Sequence, residues 1–223
     1  MTSDAIRAQD FYTAEGTEEW RILGDGGTTF FRTPSLAAGA KIVQAIADLA
    51  GVEDHPIDID IRADGVTVRL VTYTDDYFGM TRRDIELAGE ISSIAHDLGL
   101  RGDPLAVESI GPIVIGAVDI PAVLPFWAAI LGYVPRRDSP TEDLVDPRGR
   151  GPGIWFEEVE EPGRGRPRMH VACWVPYEQA EAHVQAAVAA GGRMVYDAQA
   201  PSWWTLADPE GNEADVATIK GRD

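Results

Sequence analysis

The chain has 223 residues, 44% of them hydrophobic, and a formal net charge of -18 at pH 7. That is enough apolar material for two ordinary cores, and it excludes wholesale disorder. A surface this acidic repels phosphate backbones and anionic lipid, which excludes nucleic acid and the membrane surface as partners.

The amino-terminal stretch "MTSDAIRAQDFY" carries acid early and has no apolar core, so no signal peptide is expected. Residues 4–15 read as a short helix, with Ser3 as cap and Ile6 and Phe11 as apolar anchors. "WRIL" and "TTFFRT" flank "GDGG", which reads as a hairpin. After Pro34 a helix is expected, with Leu36, Ala40, Val43, Ala47 and Ala50 on its apolar stripe, joined by Ile46 and Leu49. "IDIDIRADGVTVRLVT" alternates strictly about an "ADG" turn and predicts a second hairpin. Thr81 then caps a long helix, with Asp84 three residues on as an acidic capping-box partner and Ile85, Ala88, Ile91, Ala95 and Leu98 facing inward.

"GLRGDPLAVES" reads as a linker. The apolar run 110–134 is long enough to span a bilayer, but Asp119, three prolines and three glycines interrupt it. A strand, a turn at Asp119 and a short helix fit better. Strands follow near 143–146 and 154–160, then the loop "EPGRGRPR". The order then restarts: strand "MHVACWV", helix 177–190, and strands "RMVYDA", "SWWTLAD" and "EADVAT". A strand–helix–strands unit therefore occurs twice. Trp203 and Trp204 are adjacent on a strand, so one is expected in the core and the other, with Trp155 or Trp174, on a cup for a flat ligand. His96 and His183 fall within helices and receive no role. Cys173 is the single cysteine, which precludes an intrachain disulfide and suits a cytoplasmic setting.

The chemistry-bearing residues gather around "GVEDHPIDID" and "GMTRRDIELA". With Trp20 ahead of the first strand and "FFRTPSLAAGAKIVQAIADLAG" as second strand and helix, residues 4–98 resemble the pterin-4a-carbinolamine dehydratase family. That family expels water from a 4a-hydroxytetrahydropterin and uses histidines as acid and base, since imidazole titrates near neutrality. "EDHP" sits where the family carries His-His-Pro: Asp54 stands at the first position and His55 at the second. The third family histidine corresponds to Tyr73 or Asp75, depending on where a two-residue insertion falls, and Asp84 matches the family's acid. The resemblance implies a catalytic set of His55, Asp54, Tyr73, Asp75 and Asp84, a small pterin-like ligand, and a homodimer or higher homo-oligomer.

Residues 107–219, with "FWAAILGY" and "DPEGNEADVAT", resemble the glyoxalase-like branch of the vicinal-oxygen-chelate superfamily. Metal-using members draw one ligand from each of four strands. The matching positions are Pro112 or its neighbours, where a donor is lacking, then Glu157, His170 and Asp215, so a divalent metal is one expectation and a metal-free cup the other. The expected fold is α+β: an antiparallel four-stranded sheet with three helices on one face over residues 1–103, then paired strand–helix–strands modules over 104–223. Three functions follow: a pterin dehydratase with a reduced histidine set, a ligand-binding or assembly protein, or a metal-dependent lyase or dioxygenase seated in the second half.

Overall fold

The computed structural model describes residues 4–24, 26–49, 51–52, 55–74, 76–107, 111–161 and 169–221. The chain divides into two compact units, Met1–Ile110 and Gly111–Asp223.

The first unit runs α1 (Ala8–Tyr12), β1 (Arg21–Leu23), β2 (Gly26–Arg32), α2 (Leu36–Ala47), β3 (Ile57–Ile61), β4 (Gly65–Leu70), β5 (Thr72–Tyr73), β6 (Phe78–Gly79) and α3 (Arg82–Asp97). The two expected hairpins join as one antiparallel sheet in the order β1-β2-β4-β3. Strand alternation sends Val66, Val68 and Leu70 of β4 to one core, with Phe31 of β2. Ile42 and Ile46 of α2, Leu87, Ala88, Ile91 and Ala95 of α3, and Phe11 of α1 close that core. Trp20 is fully buried, and its indole N–H donates to Ser92 Oγ at 2.9 Å.

Two local expectations are corrected. The first helix is shorter than 4–15, because residues 4–6 are held as extended chain against the start of α3. Ile6 N donates to Met80 O at 3.0 Å, and Arg82 N donates to Asp4 O at 3.1 Å. Arg7 rather than Ser3 is the cap, and Ser3 lies outside the described residues. On α2 the buried face is Gly39, Ile42 and Ile46, while Leu36 is 56% exposed. The helix turns its glycine to the sheet: a Cβ on Gly39 would stand 3.1 Å from Val66 and 3.2 Å from Ile61. Close approach, rather than the largest side chain, sets which face is buried.

The second unit runs β7 (Ile113–Ala117), α4 (Ile120–Leu131), β8 (Val134–Arg136), β9 (Ser139–Val145), β10 (Ile154–Glu158), β11 (Val171–Trp174), α5 (Tyr177–Ala189), β12 (Arg193–Tyr196), β13 (Trp203–Ala207) and β14 (Glu213–Ala217). Its two sheets, β7-β10-β9-β8 and β11-β14-β13-β12, share one order, first-fourth-third-second. In each, the first strand pairs parallel with the last and the other pairings are antiparallel. The expected duplication is therefore present in topology. Asp119 caps α4 by accepting from Ala122 N, and Gly132 in the left-handed region ends it. Among the described residues no helix is long and apolar enough to cross a membrane. The "DPEGN" turn is a clamp. Fully buried Asp208 accepts from the Trp127 indole at 3.0 Å, from the backbone of Glu210 and Asn212, and from the Asn212 amide.

Candidate functional site

The short connection after α2 delivers His55 beside the start of α3. His55 N donates to Val52 O at 3.1 Å, and Pro56 then feeds β3. His55 is 7% exposed, and its Nε2 lies 2.8 Å from Asp84 Oδ1. Asp84 is fully buried in the first turn of α3. Its Oδ2 accepts the Thr81 backbone N–H at 2.7 Å and lies 2.8 Å from Thr72 Oγ1 and 2.9 Å from Thr81 Oγ1. The expected capping partner is thus also the anchor of the histidine.

Burial by itself would raise the Asp84 pKa; the hydrogen bonds from His55, Thr81 and Thr72 outweigh it and hold the carboxyl below its ordinary value. An ionised carboxylate only accepts, so His55 Nε2 must carry the proton that bridges them. In the neutral ring the lone pair then sits on Nδ1. A buried carboxylate fixing an imidazole in one tautomer is the arrangement that prepares histidine for proton transfer.

An open cleft of about 530 Å³ is lined by His55, Thr72 and Thr81, with Asp4, Arg82, Arg83 and Glu86. Arg83 is tied to Glu86 at 3.2 Å and Glu90 at 3.3 Å. Of the residues expected from sequence, His55 and Asp84 come together. Tyr73 is absent from the cleft lining; its ring packs edge-on against Phe78 at 5.2 Å. Its neighbour Thr72 reaches Asp84 instead, because successive side chains on β5 point to opposite sides. Asp54 and Asp75 lie outside the described residues. Thr72 was missed by sequence reasoning, although its place one residue before Tyr73 was a usable signal.

In the second unit, His170 Nε2 lies 3.1 Å from Asp215 Oδ2, and Thr205 Oγ1 donates to Asp215 Oδ1 at 2.7 Å. Glu157 sits on β10 in the other sheet, paired with Gly116 of β7. Among the described residues no group of three or more His, Cys, Asp or Glu is placed to hold a metal ion. Of the expected donors, His170 and Asp215 come together and, among the described residues, Glu157 does not join them. Trp204 enters the core and Trp203 takes the opposite face, as strand alternation requires.

Residues 2–94 match the family model described as pterin 4 alpha carbinolamine dehydratase. A Nocardia farcinica protein assigned that activity by name is 32% identical over 96 residues, which cover 43% of this chain and 99% of its own length. The chain belongs to the pterin 4 alpha carbinolamine dehydratase family. A second family relative, from Mycobacterium leprae, is 34% identical over 79 residues, covering 35% of this chain and 82% of that protein. This dehydratase-family chain continues into a glyoxalase-like domain, whose family model matches residues 112–217. A solved glyoxalase-related enzyme from Fulvimarina pelagi aligns at 23% identity and a TM-score of 0.38, over 50% of this chain and 88% of its own. Both resemblances expected from the motifs, including the fusion of the two domains, therefore hold.

Proposed function

We propose that the first unit binds a 4a-hydroxytetrahydropterin in the cleft beside His55 and dehydrates it. The observation that carries this reading is His55, bonded to buried Asp84 and lining an open cleft in a dehydratase-family domain. The C4a–O bond breaks, N5 loses its proton, and a C4a=N5 double bond forms. The departing hydroxyl needs one proton and N5 releases one, so water leaves with no net proton change. One imidazole therefore suffices as a shuttle. His55 Nδ1 takes the N5 proton, Asp84 stabilises the resulting imidazolium, and the ring returns the proton to the leaving oxygen. Thr72 and Thr81 position Asp84. Relative to a site with separate acid and base, each missing group costs about 10²–10⁴-fold.

A second reading is binding without turnover. It is favoured by the saturation of Asp84, which leaves that carboxyl no proton to give. One experiment separates the two: mix the protein with a freshly generated 4a-hydroxytetrahydropterin and follow its decay beside His55→Ala. Dehydration requires decay faster than the spontaneous rate, slowed at least ~100-fold in the variant toward that rate. Decay at the spontaneous rate with wild type leaves binding alone. The same family reading carries self-association through the first unit, and the single cysteine suits a cytoplasmic setting. Light scattering is expected to give a mass at least twice that of one chain.

A further inference from the structure

A 4a-hydroxytetrahydropterin carries its leaving oxygen on C4a, the atom bonded to N5. The group that takes the N5 proton and the group that holds the departing oxygen must therefore stand side by side. Dehydration through one imidazole leaves the second task open. The C4a–O bond pair goes to the oxygen, which carries negative charge until the imidazolium delivers its proton. A hydrogen-bond donor already aimed at that oxygen stabilises the charge as it develops.

Thr72 stands where such a donor is needed. It lines the cleft together with His55, and the two side chains meet opposite oxygens of one carboxylate. His55 Nε2 is 2.8 Å from Asp84 Oδ1, and Thr72 Oγ1 is 2.8 Å from Asp84 Oδ2. β5 turns Thr72 toward Asp84, while the ring of Tyr73 packs on Phe78.

The Thr72 hydroxyl is surplus to the anchoring of Asp84. Three donors reach Oδ2: the Thr81 N–H at 2.7 Å, Thr72 Oγ1 at 2.8 Å and Thr81 Oγ1 at 2.9 Å. One carboxylate oxygen has about two lone pairs. Thr72 Oγ1 and Thr81 Oγ1 also lie 2.8 Å apart, so three oxygen–oxygen contacts share two hydroxyl protons. Thr81 cannot turn away. It is 5% exposed, and its Oγ1 accepts the Asp84 N–H in the capping box. Thr72 is only partly buried. When a ligand fills the cleft, the Thr72 O–H is free to rotate toward it, and Asp84 keeps both Thr81 donors and the His55 ring.

We propose that Thr72 is a second catalytic residue: its hydroxyl donates to the 4a-oxygen as the C4a–O bond breaks, and His55 then protonates that oxygen to give water. Thr72 keeps its own proton throughout. N5 loses its proton to His55, and the electron pair of that N–H bond becomes the second bond of C4a=N5. The proposal rests on the dehydration reading above and adds to it the group that stabilises the leaving oxygen.

Thr72→Val and Thr72→Ala, assayed beside wild type and Thr72→Ser with a freshly generated 4a-hydroxytetrahydropterin, test it. The two hydroxyl-free variants are expected to lower kcat by about 10²–10³-fold with KM little changed, as loss of one donor to a developing oxyanion does. Thr72→Ser keeps the hydroxyl and restores most of the rate. The pH profile of kcat keeps its position, since Asp84 still holds His55. Oxidised biopterin, which has no 4a-oxygen, binds wild type and variants alike in equilibrium dialysis. Circular dichroism identifies any variant that fails to fold, and the folded one decides. An active wild type whose folded hydroxyl-free variants keep its kcat overturns the proposal. So does a loss of kcat that comes with a displaced pH profile or with weakened oxidised biopterin binding, because Thr72 then acts through Asp84 or holds the ring. Those outcomes leave the dehydration reading intact. A wild type no faster than the spontaneous reaction overturns that reading and this proposal together.

Discussion

Asp84 Oδ2 takes the Thr81 N–H at 2.7 Å while Oδ1 meets the His55 ring at 2.8 Å, so one buried carboxylate secures the start of a helix and orients an imidazole. Removing it leaves a backbone N–H and a ring N–H buried without acceptors. Asp84→Ala is expected to lower stability by about 3 kcal/mol or more, read from urea unfolding. The pH dependence follows from the direction of its shift. A carboxyl depressed in the folded state contributes stability that is fully present above its unfolded pKa, about 3.9. That stability is lost as pH falls through the lower folded value. As pH falls below about 4 the wild type should lose stability that Asp84→Asn does not; parallel losses would refute the role. Sequence pattern made Asp84 legible as a cap, since Thr81 precedes the apolar run at the right spacing. Its bond to His55 joins residues 29 apart, and no local pattern carries that information.

Helix α2 illustrates what element-level reading misses. Its apolar residues are spread widely enough that Leu36, Ala40 and Val43 form as good a stripe as Gly39, Ile42 and Ile46. The sheet chooses the second, because glycine lets the backbone settle onto Val66 and Ile61. Gly39→Leu is expected to cost about 1–3 kcal/mol by overpacking, whereas Leu36→Ala stays within about 0.5 kcal/mol. Comparable losses in both variants would contradict the observed facing. The β3–β4 hairpin is plain from alternation because β4 buries every second residue, whereas the β1–β2 hairpin is legible from its glycine-rich turn. β8 and the β5–β6 pair are not, since two- and three-residue strands are too short to show a period.

Across the whole molecule, each unit has its own hydrophobic cluster, which accounts for two families meeting in one chain. Residues 102 and 103 still belong to the first: Gly102 N donates to Glu19 Oε2 at 2.7 Å and Asp103 N to Phe30 O at 2.8 Å. Fragments 1–110 and 111–223 are expected to unfold cooperatively on their own by calorimetry, and a fragment without a transition would argue against that division. By itself the sequence determined the α+β class, the duplicated second half, both family resemblances and the presence of His55 and Asp84. Those follow from periodicity and motif order, which are local. Tertiary structure alone decided that His55 bonds to Asp84, that Thr72 rather than Tyr73 reaches it, and that Asp215 meets Thr205 and His170. Such contacts join residues far apart in the chain, and their geometry is set only when the strands and helices pack.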